Sequence, residues 1–260
     1  MTSRARLIQS AERLHLTVEA LEPESTDALA SRLLRRELDI VAGPGLVVTV
    51  HRGPVAAVQR FDDGFADETS LGALDAGELM SGVVDEVIAG YYQLAESIQQ
   101  EIDALDRRAL QGGPEVDILA DIVDVRRRIG EIRRVLAPHR IALAALARPQ
   151  MRTEESVGQP WPGLVDRLEG ATSAIEALRD SLLGTYDIHM GRAAQRANNV
   201  MKALTLLSAV LLPSVVLAGI MGMNFKMPFF DDTRNFFVVV AIMGSFAVAL
   251  FVVAQRRRWI

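Results

Sequence analysis

The stretch from Ala203 to Gly222 reads ALTLLSAVLLPSVVLAGIMG, and none of its 20 residues carries a charge. As a helix it would be about 30 Å long, which matches the hydrocarbon thickness of a bilayer. A second uncharged run, FFVVVAIMGSFAVALFVVA, covers the 19 residues from Phe236 to Ala254. Two such runs predict a pair of transmembrane helices, whereas the alternative is a pair of core helices in a soluble protein.

Charged residues are distributed unevenly along the 260-residue chain. Residues 1–195 contain 21 Lys and Arg against 31 Asp and Glu, whereas residues 196–260 contain seven against two. In the second part, Arg196 and Lys202 precede the first apolar run, and the triple arginine from Arg256 follows the second. The positive-inside rule therefore predicts two spans of the cell membrane with both termini in the cytoplasm.

Composition excludes several classes of function. The chain has no cysteine, and its four histidines are far apart, so we expect neither thiolate chemistry nor a histidine-bound zinc site. A net charge of −5 provides no basic surface for nucleic acid. The sequence shows no nucleophile paired with a base and no phosphate-binding loop, so we expect neither an enzyme nor a resident cofactor.

The N-terminal part, residues 1–75, carries the short signals of a small α/β domain in the cytoplasm. An amphipathic pattern predicts a helix over Asp27–Leu38. A β-branched run between turn residues predicts a strand over Gly45–Val50, and Val55–Phe61 is interpreted as its partner strand. We therefore expect a mostly α protein with a small N-terminal α/β domain.

Residues 76–196 predict a helical cytoplasmic stalk. One helix begins near Gly77 and ends at Gly112–Pro114, and a second covers Val116–Leu146. The cluster Arg126–Arg128 within the second helix is interpreted as a solvated face that pairs with nearby acids.

A heptad seam begins after Pro162 and continues without another proline as far as Pro213. This pattern predicts one helix of about 60 residues, or about 90 Å, that runs from the cytoplasm through the membrane. Because a single helix of this length cannot bury its own seam, we expect it to bundle with copies of itself. The seam positions in the cytoplasm are Leu164, Leu168, Ala171, Ile175, Leu178 and Leu182.

One face of this helix continues the seam through the membrane. If several copies surround an axis, this stripe lines a pore; otherwise it is a dry packing seam, with Ala218 and Gly222 as a small-xxx-small contact. The pattern by itself leaves both alternatives open. The stripe, polar at its cytoplasmic end and small at its outer end, consists of Asn198, Met201, Leu204, Thr205, Ser208, Leu212, Val215, Gly219 and Gly222.

The motif Gly222-Met223-Asn224, at the outer end of a two-span C-terminal anchor, resembles the Gly-Met-Asn signature of the CorA magnesium channel family. The resemblance extends to Arg196–Thr205, to Pro213 and to Met227-Pro228, and it covers roughly residues 45–260. It implies a funnel-shaped homopentamer in the bilayer that conducts Mg²⁺, with Co²⁺ and Ni²⁺ as further candidate ions. Mg²⁺ would also be a candidate regulatory ligand.

The resemblance also assigns roles to residues. Residues 197–224 would form the pore helix, 225–235 the outer loop, 236–255 the second transmembrane helix and 256–260 a basic cytoplasmic tail. Gly222, Met223 and Asn224 would form the outer selectivity site, where Asn224 amides and Gly222 carbonyls bind the ion through its hydration shell. Met201 and Leu204 would be the hydrophobic constriction. Asn198 would be a polar ring below it, and Lys226, Asp231 and Asp232 would lie at the outer mouth.

The sequence departs from the family pattern at several positions. Met221 replaces a usual aromatic residue, Val215 a frequent threonine and Lys226 a common acid, and the N-terminal domain is shorter than is typical. Gly163 stands where family members carry an acidic residue that senses cytoplasmic Mg²⁺, which leaves Asp166 and Asp187 as candidate cytoplasmic divalent sites. The alternatives are a Zn²⁺ transporter of the same superfamily and a non-conducting, membrane-tethered oligomeric scaffold.

Overall fold

The computed structural model describes residues 5–10, 13–24, 32–65, 75–111, 118–147, 161–223 and 233–256. The described chain is mostly helical, with a small N-terminal sheet, which agrees with the predicted fold class. In chain order the elements are β1 (Arg6–Ser10), β2 (Arg13–Pro23), β3 (Leu33–Gly43), β4 (Leu46–His51), α1 (Ala56–Phe65), α2 (Ala76–Gln111), α3 (Ile118–Leu146), α4 (Trp161–Met221) and α5 (Thr233–Arg256).

The four strands form an antiparallel meander in the order β1-β2-β3-β4. Leu16 pairs with Ile40 and Val18 pairs with Leu38, and all four side chains are buried. Because side chains alternate between the two faces of a strand, these residues share the face that packs on the core. The tight turn between β3 and β4 uses Gly45 at φ +69°, a left-handed conformation that glycine adopts without steric cost.

The strand predicted at Gly45–Val50 is confirmed as β4, but two other predictions in this domain are wrong. Residues 33–38 of the predicted amphipathic helix belong to β3, which pairs with β2 from Leu33 to Ala42 because sheet hydrogen bonds outweigh a weak helical pattern. Residues 27–31 of that prediction lie outside the described residues. Strands β1 and β2 were not anticipated by the sequence pattern.

The second wrong prediction is the partner strand over Val55–Phe61, which is in fact part of helix α1. The carboxylate of Glu22 accepts a hydrogen bond from the backbone N–H of Ala56 at 2.7 Å. This contact satisfies one of the free N–H groups at the start of α1. A residue 34 positions earlier in the chain therefore stabilises the helix start.

The three long helices agree with the prediction. Helix α2 ends at Gln111, and the predicted break at Gly112–Pro114 lies outside the described residues, as do the first two residues of the predicted Val116–Leu146 helix. Helix α4 is continuous over 61 residues. The six predicted seam positions are all buried, but in the hydrophobic core of the same chain: Leu164, Leu168, Ala171, Ile175, Leu178 and Leu182. The expectation that this part of α4 must bundle with copies of itself to bury its seam is therefore wrong.

The prediction that Arg126–Arg128 on α3 form a solvated cluster is confirmed for two residues and wrong for Arg128, whose side chain is largely buried. Arg126 and Arg127 are exposed, as expected. The guanidinium of Arg128 instead donates to both carboxylate oxygens of Glu101 on α2, and the side chains of Arg128 and Glu101 are only 13% and 7% exposed. A buried charge needs such a partner because water no longer solvates it. The cluster is therefore divided between solvent and the α2–α3 interface.

Two side chains from helices bind the backbone of Glu19 in β2. The described pairs between β1 and β2 stop two residues earlier, where Arg6 pairs with Thr17. The N–H of Glu19 donates to Nε2 of His139 at 2.9 Å, and the hydroxyl of Tyr91 donates to the Glu19 carbonyl. Burial lowers the pKa of His139 to about 4 and raises the pKa of Tyr91. A neutral imidazole and a neutral phenol therefore tie β2 to α2 and α3.

The chain divides into two compact units, residues 1–189 and residues 190–260. The first unit contains the hydrophobic core, which the inner face of the sheet and helices α1 to α4 build together. In the second unit, Ala254 is the single buried side chain among residues 190–223 and 234–256. Apolar burial is thus concentrated in the first unit.

Candidate functional site

The C-terminal part of α4 has one protected face and one exposed face. The protected residues recur at helical spacing, so they share one side of the helix. A matching row on α5 is formed by Asn235, Val239, Met243, Ala247, Leu250 and Ala254. We infer that α4 and α5 pack along these faces. The protected residues of α4 to which this applies are all half-buried: Lys202, Leu206, Ala209, Val210, Pro213, Ser214, Leu217 and Met221.

The stripe singled out in the sequence lies on the opposite side of α4. At about 100° per residue its centre is about half a turn from the protected face. Met201 is 60% exposed and Val215 is 66% exposed, which is far more than is usual for large apolar side chains in a packed core. Every stripe member is exposed in the single chain: Asn198, Met201, Leu204, Thr205, Ser208, Leu212, Val215, Gly219 and Gly222.

Polar groups near the N-terminal end of the stripe are arranged to accept hydrogen bonds. The hydroxyl of Thr205 donates to the carbonyl of Met201 at 2.8 Å, so its lone pairs are left for other donors. Gln195 donates to the amide oxygen of Asn199 at 3.2 Å, while Asn198 is exposed on the stripe. Acceptors of this kind suit the water molecules around a cation, whose protons point outward.

Helix α4 ends close to the Gly-Met-Asn motif. The N–H of Gly222 donates to the carbonyl of Ala218 at 2.9 Å, and the N–H of Met223 donates to the carbonyl of Ile220 at 3.2 Å. The carbonyl groups of a helix C-terminus carry a partial negative charge, which favours a cation there. A Cβ at Gly222 would lie 3.3 Å from the Ala218 carbonyl oxygen, so this position is tight for any larger residue.

The remaining predicted mouth residues lie outside the described part of the chain. They are Asn224, which completes the motif, and the loop residues Lys226, Asp231 and Asp232. The structure therefore describes the approach to the predicted selectivity site up to the exposed side chain of Met223.

The candidate cytoplasmic sites are not brought together within one chain. Asp166 and Asp187 are both exposed on α4, and their 21-residue separation corresponds to about 31 Å along the helix. Among the described residues, no group of three or more His, Asp or Glu side chains could hold a metal ion. Gly163 is also exposed, and a Cβ added there would have no other atom within 4 Å.

The first unit contains a groove of about 420 Å³ that the sequence did not predict. It lies between the end of β2, α1 and α2, and its lining includes Glu22, Arg60 and Gln93. Arg60 donates to the carboxylate of Glu86 at 2.8 Å, so its charge is already paired. Because the lining comes from distant parts of the chain, only the folded structure reveals the groove.

The model of the CorA-like Mg²⁺ transporter protein family matches residues 2–257. The chain belongs to the CorA family. This match confirms the predicted family. The members of the family are transporters, which agrees with the prediction that the protein is not an enzyme. Two described helices, α4 and α5, are long and apolar enough to cross a membrane, which agrees with the predicted pair of spans.

Two curated relatives illustrate the similarity. The cobalt/magnesium transport protein CorA of Thermotoga maritima is 30% identical over 188 residues, which cover 71% of this chain and 53% of that protein. The divalent cation transporter CmaX of Pseudomonas aeruginosa is 27% identical over 179 residues, which cover 68% of this chain and 52% of that protein. The chain thus matches about half the length of each of these two CorA-family relatives.

A solved structure shows the same CorA fold. The complete structure of the CorA magnesium transporter from Methanocaldococcus jannaschii superimposes with a TM-score of 0.79 and 19% sequence identity. The superposition covers 99% of this chain and 80% of that chain. The likeness in fold therefore extends over nearly the whole chain.

Proposed function

We propose that the chain forms a homopentameric channel in the cell membrane that carries hydrated Mg²⁺ into the cytoplasm. The observation that carries this proposal is the exposed stripe on α4, which lies opposite the face toward α5 and leads to Gly222-Met223-Asn224. Membership of the CorA family supports the transport of a divalent cation. The number of five subunits follows from the family resemblance.

The composition of the stripe favours a pore over contact with lipid. Asn198, Thr205 and Ser208 are polar, and a polar group that faces hydrocarbon without a partner is costly. Five copies around an axis would turn each stripe position into a ring and would place these groups in water. The half-buried face of α4, on which we infer that α5 packs, is on the other side, so the stripe is free for this arrangement.

The outer mouth supplies neutral oxygen atoms to the arriving ion. Mg²⁺ is small and releases its water reluctantly, so the amide of Asn224 and the carbonyl of Gly222 would bind it through its first-shell water. Five helix C-termini would add partial negative charge at the same place. An inside-negative potential then drives a divalent ion inward with about 4.6 kcal/mol per 100 mV.

The inner part of the pore would provide the gate. Rings of Met201 and Leu204 would form an apolar constriction that closes by losing its water, with Asn198 as a polar ring below. The basic residues at the ends of the two spans support a cytoplasmic location of both termini under the positive-inside rule. In this arrangement Asp166 and Asp187 are candidate cytoplasmic sites through which Mg²⁺ acts as a regulatory ligand.

The test is growth of a magnesium-uptake-deficient strain at low Mg²⁺. We expect Asn224→Ala to abolish rescue while the protein still assembles in the membrane. Asn199→Ala is the matched control, since its amide bonds to Gln195 at the cytoplasmic end of α4 and lies beside the stripe. Normal growth of the Asn224→Ala strain would show that the selectivity site is wrongly assigned.

The transported ion requires a separate measurement. The Pseudomonas relative is named only as a divalent cation transporter, which keeps Zn²⁺ as the alternative ion. Uptake of Mg²⁺, Co²⁺, Ni²⁺ and Zn²⁺ into proteoliposomes, each ion in turn, distinguishes the two. Faster uptake of Zn²⁺ would replace Mg²⁺ in the proposal, and the absence of flux from a folded oligomer would indicate a non-conducting scaffold.

A further inference from the structure

Four hydroxyl groups lie within the described apolar parts of α4 and α5, and one of them differs from the rest. Thr205 donates to the carbonyl of Met201 at 2.8 Å, Ser214 to that of Val210 at 3.0 Å, and Ser245 to that of Ile242 at 2.9 Å. Ser208 is exposed, and its hydroxyl has no hydrogen-bond partner in the described part of the chain.

The position of Ser208 limits what its partner can be. A hydroxyl without a partner is costly in hydrocarbon, so an apolar helix normally satisfies it through its own backbone. Ser208 lies on the stripe, about half a turn from the half-buried face of α4. Because the described part of the chain offers its hydroxyl no partner, water or another copy of the chain is left to provide one.

Ser208 is also at the midpoint of the mainly apolar section of the stripe, in which Thr205 is the other residue with a hydroxyl. Met201 lies seven residues before it and Val215 seven residues after it, which gives a section of about 21 Å. The nearer apolar rings, Leu204 and Leu212, are each about 6 Å away. A long narrow apolar passage loses its water, and a polar ring at its centre divides it into two shorter passages.

We propose that the Ser208 hydroxyls form a ring that keeps the middle of the apolar pore hydrated. Its oxygen atoms accept hydrogen bonds from the water around the passing cation, and its protons are donated to pore water. This role rests on the proposed channel function and adds a determinant of the conduction rate. The proton of Thr205 is already committed to the carbonyl of Met201, so Ser208 is the hydroxyl free for this task.

The test compares two nearly isosteric variants of the full chain, Ser208→Thr and Ser208→Val, which differ in the hydroxyl. The readout is the initial rate of Mg²⁺ influx into proteoliposomes, per oligomer, with a Mg²⁺-sensitive dye. We expect Ser208→Val to lower the rate by about tenfold, which corresponds to about 1.4 kcal/mol in the barrier. Ser208→Thr should stay within about twofold of the unmodified protein.

The matched control is Ser214→Val, in the same helix but on the half-buried face. This variant should conduct at close to the normal rate, because the hydroxyl of Ser214 is bonded to the backbone. Ser208→Ala provides a second hydroxyl-free variant, should the larger valine prevent assembly. Size-exclusion chromatography confirms that every variant forms the same oligomer.

The outcomes separate the role of Ser208 from the channel function itself. Equal rates for Ser208→Thr and Ser208→Val, with normal flux in the unmodified protein, would overturn the Ser208 proposal alone. The same holds if Ser214→Val slows influx as much as Ser208→Val. The absence of flux in the unmodified protein, or full flux in Asn224→Ala, would instead refute the proposed function.

Discussion

The two compact units of the chain differ in the burial of their apolar side chains: many are buried in the first unit, and most are exposed in the second. Helix α4 contributes to both units, so one helix allows a direct comparison. Ile175, in the first unit, is fully buried at 0% exposure, whereas Leu207, in the second unit, is 56% exposed. The same kind of residue in the same helix is thus a core residue in one unit and a surface residue in the other.

The difference follows from the solvent that each unit requires. In the first unit, water drives the apolar faces of α2, α3 and α4 against one another and against the sheet. In lipid this driving force is absent, because the surrounding hydrocarbon is as apolar as leucine. The apolar residues of the second unit therefore suit the membrane without a core.

The largest expected effect on stability comes from truncating a buried apolar residue of α4, compared with truncating an exposed one. Ile175→Ala should lower the free energy of unfolding of the first unit by about 3 kcal/mol, because it leaves a cavity. Leu207→Ala should change that free energy by less than about 0.5 kcal/mol. The measurement is denaturant unfolding in detergent, followed through the fluorescence of buried Trp161 in a Trp259→Phe background.

The comparison of the units fails if the two truncations cost the same. A large loss for Leu207→Ala would mean that its side chain contributes to the core of the first unit. Val216→Ala, at another exposed position of α4, is the control for a general effect of truncation in the apolar segment.

An effect of similar size is expected on acidification, from the buried histidine of the first unit. Burial lowers the pKa of His139 from 6.5 to about 4 in the folded protein. Between these two values the unfolded chain binds a proton that the folded chain does not bind, so stability falls as the pH is lowered. The loss should reach about 3 kcal/mol at pH 4 relative to pH 7, measured by denaturant unfolding across this range.

The control for this pH dependence is His139→Gln. Its amide oxygen can still accept the N–H of Glu19, but it does not titrate in this range. We expect the stability of this variant to fall by less on acidification than that of the unmodified protein. An identical pH dependence would show that other groups account for the loss.

The smallest effect concerns two glycines of α4 with different surroundings. A Cβ at Gly170 would collide with the hydroxyl of Tyr92, which donates to the carbonyl of Arg167 at 3.0 Å. Because the clashing atom is the end of an exposed side chain that can shift, Gly170→Ala should cost no more than about 1 kcal/mol of unfolding free energy. Gly184 has no atom within 4 Å of a Cβ, so Gly184→Ala should stabilise the helix by about 1 kcal/mol.

The double variant Gly170→Ala with Tyr92→Phe identifies the cause of the cost. Removing the hydroxyl removes the collision, so most of the lost stability should return. If Tyr92→Phe does not restore it, the cost of Gly170→Ala arises elsewhere in the α2–α4 contact.

The long helices could be predicted because their signal is local and repeated. The seam from Leu164 to Leu182 recurs every three or four residues, and all its members are buried. Strand β3 and helix α1 were mispredicted because their determinants are distant: β3 pairs with β2, and α1 is capped by Glu22. A short segment has too few residues for its own periodicity to outweigh such contacts.

The candidate site shows the same division. The sequence predicted which residues of α4 form the stripe. Only the structure shows that the stripe lies opposite the half-buried face of that helix. The sequence alone also could not distinguish Ser208 from Thr205 and Ser214, because only the folded helix shows which hydroxyl bonds to the backbone.

The amino-acid sequence determined the apolar runs, the helical seam and the Gly-Met-Asn motif, since each depends on neighbours within a few turns of one helix. The tertiary structure decided which arginine of Arg126–Arg128 is buried, how His139 and Tyr91 hold Glu19, and which hydroxyl on α4 remains without a partner in the described part of the chain. The first two of these features depend on groups far apart in the chain, and a hydrogen bond or an ion pair forms only where folding brings its two partners within about 3 Å.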